Sequence, residues 1–263
     1  MPIFATLALL GYAACLGLII PSLLRKNGPN PRAVFACAGF ALLFHGITLQ
    51  ELIFGAVSGQ NLSLMNVASL VGLIITLLMT LSLLRYRVWF LMPVVYSFAA
   101  INLAAASFLP GAFITHLEHN AGILLHITLA LFAYATLMIA TLYALQLAWL
   151  DYRLKQKRLP LSPIFPPLMT IERQLFQITL IGEILLTLTL ISGWFFLQDM
   201  FAQGKSHKAI LSMLAWVVYG VLLWGHFRQG WRGRRMVYFS LIGAFLLTLA
   251  YFGSRFMQEV ILR

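Results

Sequence analysis

Six histidines carry the chemistry open to this chain: His45, His116, His119, His126, His207 and His226. Imidazole is the commonest metal ligand and a common haem ligand. Nothing else in the sequence offers a comparable set. The two cysteines, Cys15 and Cys37, lie in apolar runs and form no C-x-x-C, so neither a dithiol redox pair nor a covalent haem attachment site is present. No H-E-x-x-H or finger-type Cys/His spacing occurs, which leaves no zinc signature. His116 and His119 are three apart and share a face if helical, with Glu118 placed to orient one ring. Two carboxyl groups, Glu51 and Glu183, stand inside apolar runs, where they are expected to be neutral or paired.

The elements that must position these residues are membrane spans. The 263 residues are 61% hydrophobic and only 10% charged, against about 25% charged in a soluble domain. Eight apolar runs approach or exceed the roughly 20 residues a span needs: 3–24, 33–57, 62–84, 88–108, 122–150, 174–197, 208–227 and 236–257. The first has no basic flank before it and reads as an uncleaved span rather than a signal peptide. Backbone polar groups in lipid must be satisfied within the segment, so the runs are helices. The expectation is an all-α polytopic membrane helix bundle with eight transmembrane helices, residues 1–263 forming one domain.

The net charge of +11 would suggest nucleic acid in a soluble protein. Here the Lys and Arg sit in short connections, and they sort by side. Fourteen of the 18 fall on one side, around residues 25–32, 85–87, 153–173 and 228–235. That side is cytoplasmic by the positive-inside rule, which puts both termini outside. A long inner loop, 151–173, carries a basic run followed by Pro160, Pro163, Pro166 and Pro167. It is expected to contact anionic lipid.

This topology sets His116, His119, His126 and His207 at the outer face and His226 at the inner face, beside Arg228, Arg232, Arg234 and Arg235. Such a cationic field suits a carboxylate-bearing ligand. His45 lies mid-span, about 18 Å from the inner end of its helix. It is too far in depth from His226 to form an axial pair with it, and helix–helix hydrogen bonding is the simpler reading.

The C-terminal stretch carries a resemblance. Trp216 and Tyr219, then Trp224-Gly-His226, Gly230-Trp-Arg-Gly-Arg-Arg235 and Tyr251-Phe-Gly253 resemble the cytochrome c assembly membrane proteins of the CcsA/CcmC/ResC type. His126 followed by Phe132-Ala-Tyr134-Ala is similar to their histidine helix. The length, the eight spans and Gln60-Asn-Leu-Ser-Leu-Met-Asn66 resemble a smaller branch, the YpjD/HemX-like inner-membrane proteins.

The resemblance implies a haem-binding or haem-handling accessory protein of the bacterial inner membrane, related to cytochrome c biogenesis and not an enzyme. It implies haem b as cofactor, with His126 as an axial ligand at the outer face. His226 and its arginines would form an inner site where haem is taken up. The family's tryptophan-rich outer loop, with its Trp-Asp-Pro, is replaced here by Trp194-Phe-Phe-Leu-Gln-Asp199 through Ser206-His-Lys208. The indole-packed haem face is then either missing or rebuilt from Phe195, Phe196 and Phe201. The family's second outer histidine has no counterpart, so His207, His116 or His119 is expected as opposite ligand, with Arg255 as a propionate partner. Expected partners are membrane lipids, haem, and cytochrome c maturation or haem synthesis proteins, with no nucleic acid. A second reading is a HemX-like regulatory or scaffolding protein acting through Arg153, Lys155, Lys157 and Arg158. A third is a proton-coupled transporter using Glu51 and Glu183.

Overall fold

The computed structural model describes residues 2–25, 28–55, 59–109, 111–116, 121–156, 167–196, 206–253 and 256. The chain is all-α apart from one two-residue strand pair. Its helices are α1 (Pro2–Ile19), α2 (Pro31–Phe54), α3 (Leu64–Ser82), α4 (Met92–Phe108), α5 (Ala121–Lys155), α6 (Leu168–Phe196), α7 (Ser206–Gln229) and α8 (Arg234–Thr248). A 3₁₀ turn, Pro21–Leu24, follows α1, and a π turn, Leu249–Gly253, follows α8. Seven of these helices are long and apolar enough to cross a membrane; α4, with 17 residues, is a shorter apolar helix.

Every expected run contains a helix, but prolines move the ends. Proline has no N–H to lose in a first turn and fits there. Pro93 therefore starts α4 at Met92, where the apolar run suggested 88. At α6 the correction matters more. The apolar run places the start at 174, with Arg173 in the preceding loop. Pro167 instead precedes a helix that begins at Leu168, so Glu172 and Arg173 are helical. The supposed loop 151–173 is helical at both ends; Lys157, Arg158 and the prolines up to Pro166 lie outside the described residues.

The chain divides into two compact units. In the first, α1 packs on α2, α2 on α3, α3 on α4, and α4 returns to α1. Small residues permit close helix approach where lipid supplies no hydrophobic drive. A Cβ on Gly11 would stand 2.9 Å from that of Ala41, and one on Gly72 3.4 Å from the Cα of Ala99. The β1 (Gln60–Asn61) and β2 (Ile114–Thr115) strands pair antiparallel, Gln60 with Thr115 and Asn61 with Ile114. Asn61 fastens this clasp: its Nδ2 donates to the Gly111 carbonyl and its Oδ1 accepts from the Phe113 N–H, both at 3.0 Å. Asn66 Nδ2 donates to the Asn61 carbonyl at 3.0 Å, and Ser63 caps α3 at the Asn66 N–H. The Gln60–Asn66 motif is thus a structural knot.

In the second unit α5 packs on α6, α6 on α7, α7 on α8, and α8 returns to α5. Gly182 lets α6 meet Leu137 of α5, and Gly243 lets α8 meet the ring of Tyr219. Large apolar side chains such as Ile3, Ile101, Phe195 and Phe245 point outward, while Ser240, Thr179, Gln146 and Glu183 are buried. That is the arrangement a lipid solvent requires.

Candidate functional site

His45 is fully buried in the first unit, and both ring nitrogens are taken. Nδ1 shares a hydrogen bond with the Tyr12 hydroxyl at 2.8 Å, and Nε2 shares one with Ser69 Oγ at 2.9 Å. One imidazole therefore ties α1, α2 and α3 together. Tyr12 also lies against Tyr96, whose hydroxyl bonds Thr80 Oγ1 at 3.2 Å. The helix-tying reading of His45 holds.

His126 is different. It is half-buried in the second turn of α5. Its Nδ1 lies 3.1 Å from the Thr189 carbonyl and 3.1 Å from Ser192 Oγ, both on α6. A carbonyl can only accept, so Nδ1 carries the proton. Ser192 agrees, since its own proton goes to the same carbonyl at 2.9 Å. In the neutral ring this leaves the lone pair on Nε2. A metal-ligating histidine characteristically donates its other N–H to a backbone carbonyl or carboxylate. One turn outward, the ring of Phe196 packs over Gly122, on the same faces of α6 and α5 as Ser192 and His126.

His226, also half-buried, adopts the same posture by a local device. The chain leaves α7 through Gly230, at φ 63°, with its N–H donating to the His226 carbonyl at 3.1 Å. The Trp231 N–H donates to the Gly225 carbonyl at 3.0 Å. The first of these is the αL cap bond, from the N–H of the residue after the helix to a carbonyl four residues back, for which Gly at the left-handed position is favoured. The turn lays the Trp231 indole on Gly225 and carries the Trp231 carbonyl back to His226 Nδ1 at 3.4 Å. The Trp224-Gly-His…Gly-Trp pattern is therefore the sequence of a cap that fixes this tautomer. The imidazole stacks on Phe176 of α6, with ring centroids 3.2 Å apart. It opens onto a groove of about 570 Å³ lined by Met169, Glu172, Arg173, Phe176, Leu180, Phe227 and Arg232 among others.

The helices set the depths. Phe176 faces His226, the Glu183 carboxyl faces Gly220, and Thr187 Oγ1 accepts from Trp216 Nε1 at 2.9 Å, one antiparallel register of α6 on α7. His126 meets Thr189 and Ser192, so the two imidazoles stand about 20–24 Å apart along α6 at 1.5 Å per residue. They are separate sites at opposite ends of one unit. Continuing the register sets His207, exposed in the first turn of α7, level with Phe196 and about one turn beyond His126. His116 is exposed and belongs to the first unit. His119 and Arg255 lie outside the described residues, as does Phe201. Among the described residues no group of three or more His, Cys, Asp or Glu could hold a metal ion.

The sequence reading missed Thr189 and Ser192, which orient His126, and Glu172, which it placed in a loop. The visible signal was spacing: Ser192 and Phe196 are four apart on α6, as Gly122 and His126 are on α5.

Residues 33–262 match the sequence model of the family described as "Cytochrome C assembly protein". The chain belongs to that family. Among its relatives, the "Inner membrane protein YpjD" of Escherichia coli (strain K12) is 55% identical over 262 residues, covering 99% of this chain and 100% of that one. An "Uncharacterized 28.8 kDa protein in nifR3-like 5'region" of Azospirillum brasilense is 35% identical over 52% of each chain. The "Cytochrome c biogenesis protein CcsA" of Prochlorococcus marinus (strain MIT 9515) is 30% identical over 84 residues, 31% of this chain and 27% of that one. No solved structure matches. Membership of the family, full-length likeness to an inner-membrane protein and seven helices able to span identify a multi-pass protein of the bacterial inner membrane.

Proposed function

We propose that this member of the cytochrome c assembly family is a non-enzymatic, haem-handling accessory protein that holds haem b through the histidines of its second unit. The observation that carries the reading is the shared posture of His126 and His226. Each donates Nδ1–H to a main-chain carbonyl and presents the Nε2 lone pair, whereas His45 has neither nitrogen to spare. The donor set suits haem iron. His126 would be the outer axial ligand, with His207, at the neighbouring level of the same unit, as opposite ligand ahead of His116 and His119. His226 would be the inner ligand, with Arg173 and Arg232 on its groove receiving propionates. Phe196 would cover the outer site and Arg255 would serve as its propionate partner. Haem, when bound, would supply an iron with affinity for imidazole; the protein's own contribution would be to fix each ring's tautomer and to limit access of water.

In this reading α4 is an eighth span. At about 26 Å it is slightly short of a 30 Å hydrocarbon core, yet it closes the ring of the first unit. Both termini then face outward.

The regulatory reading through the basic run has less support. Arg153 lies over the Trp149 ring at 5.6 Å and Lys155 pairs with Asp151 at 2.7 Å, so two of its four cations are engaged within their own helix.

The test is an absorption spectrum of the gently solubilised protein, as isolated, after haem addition and after reduction. A Soret band is expected, diminished by His126→Ala and by His226→Ala and retained in His45→Ala. A colourless protein that gains no spectrum with haem would overturn the proposal.

A further inference from the structure

Two buried carboxyl groups on α6 take no part in holding an imidazole. Glu172 and Glu183 are each more than nine-tenths buried, and each has one carboxyl oxygen with no hydrogen-bond partner: Oε1 of Glu172 and Oε2 of Glu183. They are eleven residues apart, which on a helix of 3.6 residues per turn returns to the same face, about 16 Å further along. Thr179, fully buried, stands between them on that face, and Thr187 continues it one turn beyond Glu183. The lower end of the stripe is open, because Glu172 lines the inner groove beside Arg173, His226 and Arg232. The upper carboxyl is closed in. It faces Gly220, where a Cβ would stand 3.6 Å from Oε1.

Glu183 lies at the midpoint between the levels of the two imidazoles, seven residues from Phe176 and six to nine from Thr189 and Ser192. It therefore stands about 10 Å from either level.

Among the described residues no buried Lys or Arg accompanies Glu183. Tyr219 on α7 lies close enough to Glu183 to interact with it, and Tyr134 on α5 lies close to Tyr219. Tyr219 donates to the Ser240 carbonyl of α8 at 3.4 Å, and Ser240 Oγ is itself buried without a partner. A carboxylate in such a place would be uncompensated, and an intramembrane carboxyl that is neither paired nor exposed marks an ion or proton path more often than packing.

We infer that Glu183 is a proton-binding site in the membrane core, loaded from the inner-face groove through Glu172. The proton moves from groove water to the Glu172 carboxyl, which lines the groove, and along the α6–α7 stripe to Oε2 of Glu183. The Thr179 hydroxyl serves as an intermediate hydrogen-bonding oxygen. No bond other than O–H is made or broken, and no co-reactant is needed. The inference does not depend on haem, and either can fail without the other.

Infrared spectroscopy of the full-length protein in lipid vesicles tests it. The C=O stretch of a protonated carboxylic acid, shifted by deuteration, is expected in the wild type and absent in Glu183→Gln. Glu172→Gln is expected to retain the band but to slow its hydrogen–deuterium exchange by an order of magnitude or more. A Glu183→Gln spectrum identical to the wild type would overturn the site. Unchanged exchange in Glu172→Gln would overturn the route. If Glu183→Gln does not fold, Glu183→Asp replaces it: a displaced band supports the site, and an unmoved band refutes it.

Discussion

At the residue scale, one bond decides what each histidine can do. A ring nitrogen facing a carbonyl must donate, which leaves its partner nitrogen free to bind a metal; a ring held by two hydroxyls is spent. Ser192→Ala removes one acceptor of His126 Nδ1 while the Thr189 carbonyl remains. It is expected to weaken haem binding at the outer site by about tenfold, the usual scale for losing an outer-shell partner, as read by haem titration. Thr187→Val, by contrast, loses the Trp216 indole bond and the Thr187 bond to the Glu183 carbonyl and should leave the titration unchanged. His45→Ala strands the hydroxyls of Tyr12 and Ser69. It should cost about 1–3 kcal/mol of stability, measured by thermal unfolding in detergent, with the spectrum intact. The types and positions of these rings were legible in the sequence. Their tautomers were not, because the deciding acceptors come from α6, 63 and 66 residues away for His126, and from a turn whose geometry needs Gly230 at positive φ for His226.

At the scale of the element, α6 organises the second unit. It bonds His126, stacks on His226, receives Trp216 and carries both buried carboxyls. Its packing on α5 depends on Gly182, where an added Cβ would come within 2.5–2.6 Å of the Leu137 side chain. Gly182→Ala is expected to destabilise the protein by about 1–3 kcal/mol through overpacking, seen as a lowered thermal midpoint in detergent. The apolar runs announced all eight helices, because lipid enforces helix wherever about 20 apolar residues occur together. Ends were less legible. Charge at Glu172 and Arg173 reads as loop by hydropathy, yet Pro167 starts the helix before them. That single displacement hid the groove, since Met169, Glu172 and Arg173 line it only as one helical turn.

At the scale of the whole molecule, charge sets orientation. If the fourteen of 18 cations that sort to one side of the apolar runs face the cytoplasm, cysteines introduced at Arg87 and Arg153 in a chain lacking Cys15 and Cys37 should react only with membrane-permeant reagents in intact cells. One at Thr115 should react with an impermeant maleimide. Labelling of Arg87→Cys and Thr115→Cys from the same side would remove α4 as a span. The division into two four-helix units was not legible, because no internal repeat marks it and helix partners within each unit are chosen by small residues scattered through otherwise similar apolar runs.

The β1–β2 clasp has a meaning in time as well as in space. Chains are made from the N-terminus, so Asn61 and Asn66 leave the ribosome some 50 residues before Gly111, Phe113 and Thr115 exist. Through that interval the α3–α4 hairpin has no fastening at this end, and Asn61 can reach only its own neighbourhood. The clasp closes when the connection ahead of α5 has been translated and before most of α5 has been synthesised. The four helices of the first unit are therefore latched at the moment β2 appears, before α6, α7 and α8 have been translated.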